Sequence, residues 1–267
     1  KWLSFDGVND RVVVDNAAAG DVSDQMSMSF WVYPEDYPPA KNILTKSLIN
    51  KYSLLNGQSG YFVFLVKGAG GGGFATLSAN LYFGNNDSMN ISSVLPQANQ
   101  WYHVTLVYDK GKLRLFIDGK MEKIVSHAPK DVADFGGPLV LGGMQTNKPV
   151  NAFKGNIDEF RLYDRVLSDT EISTFASQKD GPYSNLDIKE KDGLVIGYSF
   201  NNDIGSAVKD YSNNHNDAKE EGGVVWEDDI TSEKKIKDVT PPVLSLIKIN
   251  GSEVADQVLA PSKVYAM

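Results

Sequence analysis

Hydrophobic and polar residues alternate with a period of two along much of the chain, a pattern typical of β-strands with one buried face. In residues 27–33 every second side chain is large and apolar. Residues 101–109 and 112–120 repeat the pattern on either side of Lys110-Gly111, which predicts a hairpin. Further strands of this kind are predicted at residues 2–5, 12–14, 52–55, 61–66, 81–83, 139–141 and 156–163. Many short strands separated by turns predict an all-β sandwich or jelly roll.

One short helix is predicted at residues 168–175. Ser168 and Glu171 have the spacing of a capping box, in which the hydroxyl and the carboxylate each accept from a free backbone amide. The fold class expected from the pattern is therefore an all-β sandwich with one short helix.

Composition narrows the classes of protein that fit. The 267 residues carry 34 acidic and 26 basic side chains, a net charge of −8, which would repel a nucleic-acid backbone. No apolar run approaches the length of a membrane-spanning helix, so we expect no membrane insertion. The absence of cysteine excludes a disulfide scaffold, a zinc–thiolate site and a cysteine nucleophile. The chain starts inside a strand-like run, as expected of a mature or trimmed product.

Four motifs occur in an order that identifies a family. They are Leu3-Ser4-Phe5-Asp6-Gly7-Val8-Asn9-Asp10, Ser29-Phe30-Trp31-Val32, Trp101-Tyr102-His103-Val104 with Leu115-Phe116-Ile117-Asp118-Gly119, and Gly155-Asn156-Ile157-Asp158-Glu159-Phe160-Arg161-Leu162-Tyr163. In this order they resemble the laminin-G-like, concanavalin-A-like jelly-roll family over residues 1–178. The resemblance implies a jelly-roll sandwich, a fold shared by lectins, carbohydrate-binding modules, adhesion domains and some glycoside hydrolases.

Residues 193–229, after a linker at 179–192, resemble the opening segment of the same family. The resemblance rests on Gly193-Leu194-Val195-Ile196-Gly197-Tyr198-Ser199-Phe200 and on Val224-Val225-Trp226. In the family this segment precedes the strand that here contains Phe5. Either it completes the first sandwich in permuted order, the alternative we favour, or it begins a second unit.

Residues 230–267 are predicted to form a linker and the start of another β-module. Asp238-Val239-Thr240-Pro241-Pro242-Val243 resembles the linker and first strand of an immunoglobulin-like module common in bacterial surface proteins. The strand-like residues 244–249 and the turn Asn250-Gly251 fit that resemblance.

The family resemblance implies a structural calcium ion near the N-terminus. Calcium prefers carboxylate, amide and carbonyl oxygens, and Asp6, Asn9 and Asp158 could converge if the first and last strands of the jelly roll are neighbours. The alternative is that Asp6 and Asp158 bond only to backbone amides. Residues 210–221 have the spacing of a calcium loop, but His215 stands where that loop needs glycine, so we interpret them as a polar turn.

Catalytic patterns are weak. Asp158 and Glu159 are adjacent, so in a regular strand they point to opposite faces and cannot act as a pair. Residues 68–73 contain G-x-G-x-x-G, but strand-like sequence follows it, and we interpret it as a hairpin tip rather than a cofactor loop.

Glycan binding is the favoured function. Aromatic rings can stack on sugars, and amides and charged groups can bond their hydroxyls. The predicted binding residues are Tyr82, Asn85, Asn86, Asp87 and Arg114. We expect a non-catalytic carbohydrate-binding or adhesion module of a larger exported bacterial protein, secreted or at the cell surface, with a glycan and neighbouring domains as partners. The alternatives are a structural spacer without a ligand and, less favoured, a polysaccharide-active hydrolase.

Overall fold

The structure, a computed structural model, describes residues 1–36, 45–53, 58–67, 75–134, 136–144, 151–177, 191–201 and 207–227, and the backbone of 248–249 and 252–253. Contacts divide the chain into two compact units, residues 1–229 and 230–267. The glycine-rich stretch at 68–73, residues 54–55 of a predicted strand and most of the predicted linker at 179–192 lie outside the described residues.

The first unit contains sixteen strands and one helix among its described residues. In chain order the strands are β1 (Trp2–Asp6), β2 (Arg11–Val14), β3 (Gln25–Pro34), β4 (Lys46–Ser53), β5 (Ser59–Lys67), β6 (Ala75–Gly84), β7 (Asp87–Leu95), β8 (Tyr102–Asp109), β9 (Lys112–Ile117), β10 (Lys120–Ser126), β11 (Leu139–Leu141), β12 (Lys154–Tyr163), β13 (Leu194–Tyr198), β14 (Ala207–Val208), β15 (Ala218–Glu221) and β16 (Val225–Glu227). Helix α1 (Asp169–Ser177) lies between β12 and β13.

These strands form two antiparallel sheets of eight. Sheet 1 has the order β10-β9-β8-β3-β12-β1-β16, and β13 also pairs with β12. Sheet 2 has the order β14-β15-β2-β11-β4-β5-β6-β7. The prediction of an all-β sandwich with one short helix is confirmed. No helix among the described residues is long and apolar enough to cross a membrane.

The core lies between the sheets and is built from alternate residues of both. Met28, Phe30 and Val32 of β3 enter it from sheet 1, and Val63 and Leu65 of β5 enter it from sheet 2. All five are at most 1 % exposed. At about 25 cal/mol per Å² of apolar surface, burial of this kind is the main source of stability in the fold.

Strand β12 organises sheet 1. One edge pairs with β3 along most of its length, from Gly155 opposite Pro34 to Tyr163 opposite Ser27. The other edge is shared by β1, which pairs with residues 154–157, and β13, which pairs with residues 160–163. The part of β12 that carries the family motif, residues 155–163, therefore has neighbouring strands along both of its edges.

Residues 191–227 contribute strands to both sheets. β13 pairs with β12, β15 pairs with β2, and β16 pairs with β1. Tyr198 and Phe200 are fully buried in the same core as Phe160. These pairings bring the end of the first unit beside its beginning.

Helix α1 covers part of the outer face of sheet 1. The predicted capping box is present: Ser168 N donates to Glu171 Oε2 (2.8 Å), and Glu171 N donates to Ser168 Oγ (3.2 Å). Ile172 and Phe175 of the helix form a separate apolar cluster with Val107 and other residues of the sheet.

The second unit is described only by two short strands, β17 (Lys248–Ile249) and β18 (Ser252–Glu253), which pair antiparallel. The turn Asn250-Gly251 and the proline-rich motif at 238–243 lie outside the described residues. Membership of the immunoglobulin-like class therefore stays a prediction.

Candidate functional site

The predicted calcium ligands do not come together. Asp6 lies opposite Lys154 in the pairing of β1 with β12, so Asp158 is four residues, or about 13 Å, further along β12. Asp6 and Asn9 are exposed, whereas Asp158 is fully buried and accepts a hydrogen bond from Glu159 N (2.9 Å). The expected approach of Asp158 to Asp6 is wrong because the antiparallel register places Lys154, rather than Asp158, beside Asp6.

The carboxylate that does lie beside Asp6 is that of Asp10. Asp6 N donates to Asp10 Oδ2 (2.9 Å), and Asp6 Oδ1 accepts from Val8 N (2.7 Å). The pKa of Asp10 is raised, mainly by burial and also by the carboxylate of Asp6, while the hydrogen bond from the Asp6 amide offsets part of the rise. Among the described residues no group of three or more histidine, aspartate or glutamate side chains could hold a metal.

A bulge in β12 changes the positions of the two adjacent acids. The pairing with β3 shifts between Asp158 and Arg161, and Glu159 has a φ of 54°. Ile157 and Phe160 both enter the core. Two residues, Asp158 and Glu159, lie between these core positions, whereas a regular strand has only one residue between successive core positions. Glu159 accepts from Arg161 Nη2 (2.6 Å), and the Arg161 guanidinium lies over the ring of Phe175 in α1, on the outer side of the sheet. The bulge, rather than regular alternation, therefore decides where the side chain of Glu159 points.

Buried polar groups continue beside this ion pair on the outer face of sheet 1. His103 Nε2 and Ser29 Oγ are 2.9 Å apart, and both residues are fully buried. Burial, followed by the positive charge of Arg161, lowers the pKa of His103 to about 3, so the ring is neutral at pH 7. Glu159 and Arg161 are themselves at most 2 % exposed, so the surface of the molecule does not present these groups to a substrate.

The predicted sugar-binding residues fall in three places. Tyr82 lies on the outer face of sheet 2, and Asn85 and Asn86 form the tight turn between β6 and β7. Asp87 follows that turn and contacts His127 and Lys130. Arg114 belongs to sheet 1 and bonds to Asp169 of α1 (3.1 Å). The structure thus separates Arg114 from the other four, because β6 and β9 belong to opposite sheets.

Tyr82 is part of a larger cluster, which we call the aromatic–amide face; the rings of Phe62, Phe64 and Tyr82 in it are only 6–9 % exposed. It is the outer face of sheet 2 and is formed by four rings and three amides from β4, β5, β6 and β7: Tyr52, Phe62, Phe64, Tyr82, Asn50, Asn80 and Asn90. Sequence reasoning identified only Tyr82. The missed signal is that β5 is apolar on both faces, which one core cannot explain.

The four rings stack in one column. The ring centroids of Tyr52 and Phe62 are 4.7 Å apart, those of Phe62 and Phe64 are 4.4 Å apart, and those of Tyr52 and Tyr82 are 5.6 Å apart, with interplanar angles of 17–21°. Gly60 lies between Tyr52 and Tyr82 in the strand register and has no side chain to separate them. A Cβ there would lie 1.9 Å from Lys51 O, so only glycine fits.

The amides extend the column into a polar row across the strands. Asn50, Phe62, Asn80 and Asn90 are successive partners in the register of β4, β5, β6 and β7. Asn90 Nδ2 donates to Asn80 Oδ1 (2.6 Å), and Asn80 Nδ2 donates to Tyr82 Oη (3.0 Å). This chain of hydrogen bonds leads from exposed Asn90 to Tyr82. Burial raises the pKa of Tyr82, and the bond from Asn80 offsets part of that rise.

A concavity of about 910 Å³ lies between the end of β12, the start of α1 and β13. Its described lining is mainly charged or amide-bearing and includes no aromatic residue. Arg165 there bonds to Glu171 (2.7 Å) and Asn214 bonds to Val195 O (2.9 Å). These groups hold the fold together, so the aromatic–amide face is the stronger candidate for ligand binding.

Comparison with known proteins assigns the class. The family model described as the concanavalin A-like lectin/glucanases superfamily matches residues 6–173. The chain belongs to this superfamily. A comparison with curated protein sequences finds no match.

Two solved structures share the fold at low sequence identity. One is a heptameric pentraxin resembling serum amyloid P from Limulus polyphemus, with a TM-score of 0.54 and 16 % identity over 84 % of this chain and 93 % of the pentraxin. The other, from Bacteroides ovatus, is described as a candidate carbohydrate-binding protein and has a TM-score of 0.56 and 15 % identity over 85 % of this chain. The chain spans only 60 % of the Bacteroides protein.

Proposed function

We propose that this chain is a non-catalytic carbohydrate-binding module and that the aromatic–amide face binds the glycan. The observation that carries the proposal is the hydrogen-bonded chain from Asn90 through Asn80 to Tyr82, which runs beside the stacked rings. Sugars present hydroxyl groups and apolar C–H faces together, so a matching site needs fixed polar groups next to aromatic surface. Membership of a superfamily of lectins and glucanases agrees with this ligand class.

The packing suits the two parts of the face to different roles. Both sides of the Phe62 ring are occupied, by Tyr52 and Phe64, so Phe62 supports the column rather than contacting a sugar. Asn90 is exposed and Asn80 is half-buried, so their remaining amide groups can bond to sugar hydroxyls. The Asn80–Tyr82 bond fixes the orientation of the amide before a ligand arrives, which lowers the entropic cost of binding.

The acidic residues of β12 support the non-catalytic assignment. A glycosidase needs two carboxyl groups facing a cleft, one of them free to protonate the leaving group. Asp158 and Glu159 are fully buried, and Glu159 forms an ion pair with Arg161. A wider setting in a larger exported bacterial protein, secreted or at the cell surface with neighbouring domains, belongs to the same proposal and is supported by the resemblance of residues 238–249 to an immunoglobulin-like module.

Binding to a glycan array and to insoluble polysaccharides tests the proposal. We expect Tyr82→Phe, which keeps the ring column but removes the hydroxyl, to weaken binding about 3- to 10-fold, since one hydrogen bond contributes about 0.5–1.5 kcal/mol. Asn80→Ala should weaken it at least as much, because it removes both amide bonds. Tyr82→Ala should abolish binding.

The matched control is Tyr33→Phe, which makes the same chemical change on sheet 1, where Tyr33 packs on Trp101. It should bind like the parent protein. No binding across the array would favour the spacer function, and release of sugar products would establish a hydrolase. Equal losses in Tyr33→Phe and Tyr82→Phe would reject the aromatic–amide face as the site.

A further inference from the structure

A row of small polar side chains lies beside the stacked rings on the outer face of sheet 2. Side chains that bear a hydroxyl or an amide occupy successive outer positions of the last two strands, β6 and β7. We call them the polar lane: Thr76, Ser78, Asn80, Ser88, Asn90 and Ser92. From the level of Tyr82 to that of Thr76 the lane follows six residues of β6, which is about 20 Å.

Most of the polar lane is accessible to a ligand. Ser88 and Asn90 are exposed, and every other member except Ser78 is half-buried. Phe62 and Phe64 occupy the neighbouring outer positions of β5, so aromatic rings border the lane along its length. A molecule lying in the lane therefore meets hydroxyl and amide groups next to apolar surface.

Charged residues are absent from the outer positions of these strands. Among the described residues of β4 to β7 the charged ones are Lys46, Lys51, Lys67 and Asp87. In the register the three lysines stand opposite Leu65, Tyr61 and Ala75, which belong to the core between the sheets. Asp87 precedes the first outer position of β7 and forms an ion pair with Lys130. None of the four therefore stands in the polar lane.

Other parts of both sheets do carry charges. The outer face of sheet 1 holds the ion pair of Glu159 with Arg161, and β2 and β15 of sheet 2 hold that of Arg11 with Glu221. Charged residues make up 22 % of the chain, so its composition does not explain an uncharged surface across four strands. The absence of charge is a property of this surface in particular.

We infer that the aromatic–amide face selects a neutral glycan chain that lies along the polar lane, an inference that rests on the function proposed above. Hydroxyl and amide side chains both donate and accept, as the hydroxyl groups of an uncharged sugar do. An acidic sugar would lose the water around its carboxylate or sulfate group and find no cation on these strands to replace it, which is costly. The net charge of −8 also repels anionic glycans at long range.

Binding of the full chain to matched pairs of oligosaccharides tests the inference. Each pair shares one backbone, and one member carries an added sialic acid, uronic acid or sulfate group. We expect the neutral member to bind at least about 10-fold more tightly, because the acidic group is desolvated without a partner. The affinity for the neutral member should change less than about 2-fold between about 50 and 500 mM NaCl, since no ion pair forms with the ligand.

A cation placed in the lane should change this selectivity. Ser92→Lys leaves the rings and the Asn80–Tyr82 bond in place, and it should strengthen binding of the acidic member about 2- to 5-fold and make that binding depend on salt. The matched control is Ser126→Lys, the same change on exposed β10 of sheet 1, which should leave both affinities unchanged. If Ser92→Lys does not fold, Thr76→Lys makes the same test at the end of the lane.

The outcomes separate this inference from the function on which it rests. An acidic member that binds as tightly as its neutral partner would overturn the selectivity, and the glycan-binding function would stand if Tyr82→Phe weakens that binding. Neutral binding that is unaffected by Tyr82→Phe would reject the face itself and the inference with it. An equal gain in Ser92→Lys and Ser126→Lys would reflect net charge alone and would overturn the assignment of the ligand to the polar lane.

Discussion

Residues 191–227, which we call the returning segment, pair with strands of both sheets. The carboxylate of Asp210 stabilises this segment, and its replacement by alanine is the most informative test of the fold. The carboxylate Oδ1 accepts from Gly197 N and Ser212 N (both 2.9 Å). Its Oδ2 accepts from Ser212 Oγ (2.7 Å) and Asn216 N (2.8 Å). Gly197 belongs to β13, so one side chain connects that strand to the polar turn that follows β14.

The magnitude follows from the groups left behind. Asp210→Ala deprives three backbone amides and one hydroxyl of their acceptor, and each buried donor without a partner costs about 1–3 kcal/mol. Water can reach part of the turn, because Asn213 and Asn214 are exposed, so the full sum does not apply. We therefore expect a loss of about 3–5 kcal/mol, a large fraction of the 5–15 kcal/mol typical of a folded domain.

Equilibrium unfolding in urea, followed by circular dichroism, measures this loss. Hydrogen exchange should show faster exchange at the amides of Gly197 and Asn216 than at those of β3. Asn213→Ala changes an exposed residue of the same turn and should stay within about 0.5 kcal/mol of the parent. A cost below about 1 kcal/mol for Asp210→Ala would refute the view that this carboxylate holds the segment in place.

Two further predictions concern the buried histidine and the returning segment. Burial and Arg161 lower the pKa of His103 from 6.5 to about 3, so between these values the unfolded chain binds a proton that the folded chain does not. Stability should therefore fall as the pH is lowered from 6.5 towards 3, by about 5 kcal/mol over the whole interval, and His103→Gln should flatten this dependence in urea titrations. A pH dependence unchanged by the substitution would show that another group titrates. Deleting residues 193–229 removes β16, the partner of one edge of β1, and β13, which pairs with one edge of β12, so we expect loss of the cooperative transition. A truncated chain that melts at the parent temperature would show that the segment is a separate unit.

The strand pattern predicted the fold well because alternation reports burial directly. The β3 and β8–β9 strands and the helix after Ser168 all follow from local sequence. Strand β10 was not predicted, because it lies at the edge of sheet 1 with Met121 and Ile124 exposed, so no alternation marks it. Edge strands of this kind are shaped by avoiding aggregation as much as by burial.

The sites were harder to predict because they depend on register and on irregularities. The sequence predicted that Asp158 and Asp6 share a metal ion, but the register between β1 and β12 places Lys154 opposite Asp6. The positions of Asp158 and Glu159 depend on a β-bulge, and no residue type in this stretch predicts one. The aromatic–amide face combines residues from four strands, and only its Tyr82 was identified from the sequence.

The pairing of β16 with β1 has a consequence for how the protein is made. Trp2 and Glu227 are bonded across 225 positions of the chain (3.4 Å), so sheet 1 closes with some of the most distant contacts possible in this unit. Such contacts slow folding, since a long loop must close before they form. During synthesis β1 leaves the ribosome about 10–45 s before β16, at typical elongation rates. Over that interval the edge of β1 that later pairs with β16 has no partner strand, so its backbone N–H and C=O groups can pair with other strands, which favours aggregation.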